Sequence, residues 1–244
     1  SNDNPLLPED AKDNLIYKAA ECIRREYGID RGVKITLQKN IPIAAGMAGG
    51  STDAAAVLVG VNRMFDLGFT KKELMERGVK LGADVPYCIM RGTALSEGIG
   101  EILTELPAPP QCHLVIAKPQ ISVSTKAVYG KLRVNELAPE EHPDIDGMMA
   151  AIKNGDLDGV IERLGNVLET VTVPDHPEIA EIKEIMVENG ACGSLMSGSG
   201  PTVFGIYKDR ELAEKACQAL READGGRLTR QVYLTEFYNR KKAR

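Results

Sequence analysis

The sequence has no long apolar run, no excess of basic charge and no paired cysteines, and each absence removes a class of protein. No stretch approaches the roughly 18 to 20 apolar residues of a membrane-spanning helix, so no membrane partner is expected. Lys and Arg number 30 against 35 Asp and Glu, for a formal net charge of −5. A general nucleic-acid binder carries the opposite balance, so nucleic acid is not an expected partner either. Any anionic ligand must be held by backbone amides or by a local patch. The five cysteines (Cys22, Cys88, Cys112, Cys192 and Cys217) are odd in number and scattered, with no C-x-x-C pair. That is the usage of free thiols in a reducing compartment, and a cytoplasmic location is the expectation. His113, His142 and His176 lie far apart without a neighbouring Cys or acidic ligand pattern, which argues against a structural zinc site. Ser1 to Asp10 shows neither a basic n-region nor an apolar h-region, so no signal peptide is expected. Repeats and low-complexity tracts are missing too.

What remains is an ordinary globular composition: 244 residues, 43% hydrophobic and 27% charged. That length suits one large domain or two small ones. Leu15, Ala19, Cys22, Ile23 and Tyr27 recur at helical spacing and predict a helix over 14–27, ended by Gly28 and Asp30. The alternation of Val33 to Leu37 predicts a strand. Ala- and Val-rich Ser51 to Phe65 predicts a buried helix, and Thr70 to Glu73 reads as a capping box opening a helix to Leu81. Pro107-Ala108-Pro109-Pro110 is the clearest punctuation and marks the expected domain boundary, giving domains 1–107 and 108–244. Beyond it come a strand at His113 to Ala117 and three helical patterns between Ser124 and Glu188. Strands at Cys192 to Met196 and Thr202 to Tyr207 follow, then a helix over Asp209 to Ala223 and a strand over Gln231 to Phe237. Helices and strands mix without a regular β-α-β-α count, which makes α+β the expected class.

The chemistry is concentrated in loops. Between Pro42 and Thr52 lie three glycines and three alanines, small residues that let a backbone turn tightly and approach a ligand closely. The loop runs into the predicted Ser51 helix, whose first N–H groups lack intrahelical partners and carry partial positive charge. A phosphate suits that place, with the Ser51 and Thr52 hydroxyls as added donors or metal ligands. The pattern matches neither G-x-x-x-x-G-K-[ST] nor G-x-G-x-x-G, and a tight helix entry with no ligand remains an equal reading. A second glycine turn, Ser197-Gly198-Ser199-Gly200, separates two apolar strands and is either a plain hairpin or a second surface closing on a ligand. Two such loops in different halves suggest a ligand between domains. Asp84 stands in the turn Gly82-Ala83-Asp84-Val85-Pro86. With Val85, Tyr87 and Ile89 read as a buried strand entry, its carboxylate is expected to be partly desolvated and able to take a proton from a hydroxyl; a plain turn cap is the competing role.

The run Pro42-x-x-x-Gly46-Met47-Ala48-Gly49-Gly50-Ser51-Thr52-Asp53-Ala54-Ala55 resembles the phosphate-binding motif of the GHMP small-molecule kinases. Gly82 to Pro86 and Glu97-Gly98-Ile99-Gly100-Glu101 resemble the branch acting on 4-diphosphocytidyl-2-C-methyl-D-erythritol in the non-mevalonate isoprenoid route. Ser197 to Phe204 resembles the superfamily's C-terminal glycine motif, and the likeness runs from Asn4 to about Phe237. The resemblance implies the two-domain GHMP kinase fold. Its N-terminal domain is like domain 2 of ribosomal protein S5, and its C-terminal domain is ferredoxin-like. It implies ATP and Mg²⁺ as cofactors and a cytidine-diphosphate sugar alcohol as substrate. Pro42, Ile43, Ala44, Ala45, Gly46, Met47, Ala48, Gly49, Gly50, Ser51 and Thr52 would cradle the ATP phosphates, with Ser51 or Thr52 near the metal. Asp84 would take the proton from the attacking hydroxyl, and Gly198, Ser199, Gly200 and Thr202 would close over a phosphate. Asn14 matches an asparagine near the nucleotide base. One departure stands out: the family's opening Lys-x-Asn-Leu strand has no match here, and no lysine takes its role by matching. The expectation is a truncated chain of lowered stability and weak turnover. A homoserine- or mevalonate-type kinase, and a nucleotide-binding module without catalysis, remain alternatives.

Overall fold

A computed structural model describes residues 7, 8 and 10–238. The chain divides into two compact units, Ser1–Ile43 with Ala48–Glu105, and Ala44–Met47 with Leu106–Arg244.

The first unit is built on helices α1 (Leu15–Tyr27) and α2 (Gly49–Met64), with α3 (Lys71–Gly78) and α4 (Val85–Met90) beside them. Asn14 starts α1 by accepting from the Ile16 N–H, and Gly28 ends it in the left-handed region at φ 60°. The Thr70–Glu73 capping box forms in both directions, and α3 stops at Gly78 rather than at Leu81. Ala19 and Ile23 of α1 bury against Ala54, Ala55, Leu58 and Val61 of α2, and Leu74, Val85 and Ile89 complete that core. The small residues of α2 permit this close helix approach. A two-stranded ribbon follows, β1 (Thr93–Glu97) and β2 (Ile102–Leu106), with the Glu97 to Glu101 motif as its turn.

Two expectations fail in this unit. Val33 to Leu37 is extended, with Val33, Ile35 and Leu37 half-buried between exposed neighbours, yet among the described residues it carries a single bridge residue, Leu37. Alternation reports which side faces the core. Val85 to Ile89 is helical instead of a strand. Burial falls on Val85, Pro86, Ile89 and Met90, the i, i+1, i+4, i+5 stripe of a helix, and proline is tolerated in a first turn.

The second unit holds strands β3 (His113–Pro119), β4 (Gly193–Met196), β5 (Val203–Tyr207) and β6 (Thr229–Glu236) in the order β4-β5-β3-β6, all antiparallel. Val115 pairs with Gly205 on one side and Leu234 on the other. Between β3 and β4 lie α5 (Thr125–Lys131), α6 (Ile145–Asn154), α7 (Leu157–Glu162), α8 (Glu169–Asp175) and α9 (Glu178–Glu188); α10 (Arg210–Glu222) joins β5 to β6. Five helices therefore replace the three expected, because the Gly155–Asp156 break and Asp-capped restarts divide what reads as longer patterns. One face of the sheet buries Val115, Ala117, Val203 and Tyr207 against Ile179, Ile182 and Met186 of α9 and Ala216 and Leu220 of α10. On the other, Leu114 and Ile206 meet Leu157 and Ile161 of α7. Two helices on an antiparallel β-α-β-β-α-β sheet make the ferredoxin-like arrangement.

Candidate nucleotide and phosphoryl-transfer site

In the first unit the site residues collect at the start of α2. Its first turn is Gly49-Gly50-Ser51-Thr52, and the Thr52 N–H is the first to bond back, to the Ala48 carbonyl at 2.9 Å. Among the described residues no side chain caps this end, so the N–H groups of Gly49, Gly50 and Ser51 stay available at the positive end of a 16-residue helix. Gly49 itself is buried. A Cβ there would stand 2.8 Å from Ile41 Cγ2 and 2.9 Å from Lys39 Nζ. Its smallness thus makes room for the protein's own side chains, whereas Gly50, Ser51 and Thr52 offer the surface a ligand can reach.

The Asp84 turn lies against the same helix end. A Cβ on Gly82 would stand 4.0 Å from Ser51 Oγ, and Thr52 Oγ1 is 3.5 Å from Cys88 Sγ on α4. Burial raises the Cys88 thiol pKa, with the Thr52 contact partly offsetting it. Asp84 is exposed and occupies the N-cap position of α4 without making a cap bond. The expected desolvation is therefore absent: the helical stripe of α4 turns its apolar residues inward and leaves Asp84 and Tyr87 outward. Among the described residues no hydrogen bond or ion pair occupies its carboxylate, which leaves it able to accept a proton from a bound hydroxyl.

A lysine that motif matching did not assign also reaches this place. Lys39 is 3% exposed and pairs with Asp53 of α2 at 2.5 Å. Fourteen residues separate the two, and no local spacing rule connects them. Asn14 acts as the α1 cap, 8% exposed, and lines a groove of about 440 Å³ along that helix.

In the second unit, Ala44–Met47 packs on the turn after β4. Ser197 donates its hydroxyl to the Gly46 carbonyl at 2.7 Å. Gly46 has φ 69°, and a Cβ there would stand 2.2 Å from the Ser197 carbonyl, so glycine is required twice over. Ala44 and Ala48 also take positive φ, a local strain of the kind found in ligand-binding loops. The turn is fastened by residues that sequence reasoning missed. Asn166 Nδ2 donates to the carbonyls of Met196 (2.9 Å) and Gly198 (2.8 Å). Glu169 accepts from the Met196 N–H at 2.7 Å and from Lys183 at 2.6 Å. Thr125 shares a 2.8 Å bond with Ser199, and Thr172 donates to the Ser199 carbonyl at 3.3 Å. Thr202 Oγ1 is buried with no hydrogen-bond partner among the described residues. Gly198, Ser199, Gly200 and Thr202 thus sit in one rigid turn.

Among the described residues no helix is long and apolar enough to cross a membrane, and no three His, Cys, Asp or Glu side chains group to hold a metal ion.

The profile of the GHMP kinases N terminal domain matches residues 14–92, and that of the GHMP kinases C terminal domain matches residues 148–225. A 4-diphosphocytidyl-2-C-methyl-D-erythritol kinase from Lachnospira eligens is 54% identical over 227 residues, covering 93% of this chain and 77% of the relative. The chain is a GHMP kinase of this family. The enzyme of the same name from Alkaliphilus metalliredigens is 50% identical over 231 residues, 95% of this chain and 77% of its own. A crystal structure of 4-(cytidine 5'-diphospho)-2C-methyl-D-erythritol kinase superposes with a TM-score of 0.78 at 30% identity, covering 96% of this chain and 80% of that one. Homoserine kinase from Cytophaga hutchinsonii gives 0.83 at 22% identity, with the same coverage; that likeness is one of fold. As a GHMP kinase the chain is a phosphotransferase with ATP as cosubstrate, and its family places it in isoprenoid precursor synthesis rather than with the homoserine or mevalonate kinases.

Proposed function

We propose that this chain transfers the γ-phosphoryl group of ATP to the 2-hydroxyl of 4-diphosphocytidyl-2-C-methyl-D-erythritol. The observation that carries the reading is the packing of the Asp84 turn against Ser51 at the uncapped start of α2. It sets the turn that carries Asp84, whose carboxylate has no hydrogen bond or ion pair among the described residues, beside the helix end best suited to phosphate. Phosphoryl transfer asks little covalent chemistry of a protein and depends on positioning and charge neutralisation.

The N–H groups opening α2, with the loop Pro42 to Thr52, hold the triphosphate. Asp84 accepts the proton of the substrate hydroxyl as its oxygen bonds to the γ-phosphorus and the bond to the ADP oxygen breaks. In the second unit, the turn Gly198, Ser199, Gly200 and Thr202 is the second candidate phosphate-binding surface. The donor set fits Mg²⁺ that arrives with the nucleotide, since Mg²⁺ keeps waters and phosphate oxygens and needs one or two protein ligands. Ser51 or Thr52 would supply that contact, and the ion would neutralise phosphate charge. The family favours a cytoplasmic enzyme.

Steady-state ADP release tests the reading. With Mg-ATP, 4-diphosphocytidyl-2-C-methyl-D-erythritol should be turned over, and homoserine and mevalonate should not. Turnover of either of the latter in its place would overturn it.

A further inference from the structure

We propose that Lys39 is a positioning residue for the ATP phosphates, acting through its ion pair with Asp53. The inference rests on the assignment of phosphate binding to the start of α2.

The pair is costly to build. Taking an ammonium out of water costs several kcal/mol that its partner only partly returns, and an apolar pair of similar volume is often as stable. Lys39 is nonetheless 3% exposed and Asp53 18% exposed, 2.5 Å apart. The location adds to the cost. Lys39 Nζ lies 2.9 Å from where a Cβ on Gly49 would stand, beside the first residue of α2. A helix N-terminus carries partial positive charge and favours anions, so cations normally gather at the other end. A purely structural brace does not need its cation there.

An anion-binding end does. The ammonium stands beside the first residue of α2 and has the same sign as the helix end. The pair also sets geometry. It ties residue 39, before the loop, to residue 53, on the first turns of α2, and Ile41 packs onto Gly49 between them. The segment entering the loop is thereby fixed against the helix whose amides meet the phosphates.

Calorimetric titration of Mg-ATP into the full chain, Lys39→Met, Lys39→Arg, Asp53→Asn and the Lys39→Met/Asp53→Asn double variant tests this. Each of Lys39→Met and Asp53→Asn should weaken Mg-ATP by about tenfold, and the double variant should be no weaker than the weaker single, because both remove one interaction. Lys39→Arg should stay within about threefold, and the affinity for the alcohol substrate should hold in every variant. A double variant whose losses multiply, single variants that bind Mg-ATP like the parent, or parallel loss of both substrates would overturn the inference. If Lys39→Met fails to fold, loss in Asp53→Asn with retention in Lys39→Arg supports the inference, and retention in Asp53→Asn overturns it. A parent chain that binds no Mg-ATP overturns the phosphate assignment itself, whereas a binding parent with unchanged variants overturns the role of Lys39 alone.

Discussion

Ser197 donates its hydroxyl to the Gly46 carbonyl across 151 residues of sequence, at 2.7 Å. The bond joins the two glycine loops within the second unit, so a change at either end should be felt at the other. Ser197→Ala removes the donor and leaves the Gly46 carbonyl unpaired, at a cost of about 0.5–1.5 kcal/mol. Gly46→Ala should cost more, since its Cβ meets the Ser197 carbonyl at 2.2 Å and its φ is 69°. Urea unfolding, read beside Mg-ATP affinity, checks both. Equal stability of Gly46→Ala and the parent would show that the loop relaxes freely.

Asn166→Ala should loosen the C-terminal glycine turn. The carbonyls of Met196 and Gly198 lose their shared donor, a loss of about 1–3 kcal/mol when such groups stay partly buried. Asn166→Asp is the sharper variant. It keeps the acceptor for the Leu168 N–H but replaces the donor with a carboxylate facing two carbonyls, and should be at least as damaging. Amide exchange across 196–200 should rise in both.

Much of this was legible in the sequence, and the limits have physical causes. α1, α3 and the β4–β5 hairpin carry local signals in Asn14, Gly28, the Thr70–Glu73 box and the glycines after Met196. Each is fixed by residues within a few positions. Val33 to Leu37 reads as a strand because its alternation records burial. Val85 to Met90 is too short and too apolar for its period to show. The loop Pro42 to Thr52 and Asp84 stand out by composition and turn chemistry. Lys39 with Asp53, and Asn166 with Met196 and Gly198, do not, because their contacts join residues 14 to 32 apart that only the folded chain brings together.

Stability should decline above pH 9. Burial pushes the Cys112 thiol from 9 up to about 11, and burial raises Cys217 and Tyr207 as well. A group whose folded pKa is raised is held protonated by the native state. For Cys112 the stabilisation is complete below pH 9 and is lost as pH rises toward 11, where the unfolded chain binds fewer protons. Denaturant midpoints measured from about pH 8 to 11 should fall, and Cys112→Ala should flatten part of the fall. A flat profile in the parent would contradict this.

Thiol labelling should follow burial. Cys192 is exposed, Cys88 is half-buried with a raised pKa, and Cys112 and Cys217 are buried. A thiolate is the reactive species, so at neutral pH Cys192 should label first and Cys112 and Cys217 should label only on unfolding. Peptide mapping after brief alkylation reads the order.

The central claim is that Asp84 accepts the proton of the attacking hydroxyl beside the start of α2. Turnover of 4-diphosphocytidyl-2-C-methyl-D-erythritol with Mg-ATP, compared between the parent and Asp84→Asn, tests it directly. The Asp84 carboxylate makes no hydrogen bond or ion pair among the described residues, so the substitution should leave folding and Mg-ATP affinity within about threefold while kcat falls by about 100-fold or more. Unchanged kcat in Asp84→Asn would remove Asp84 from the mechanism.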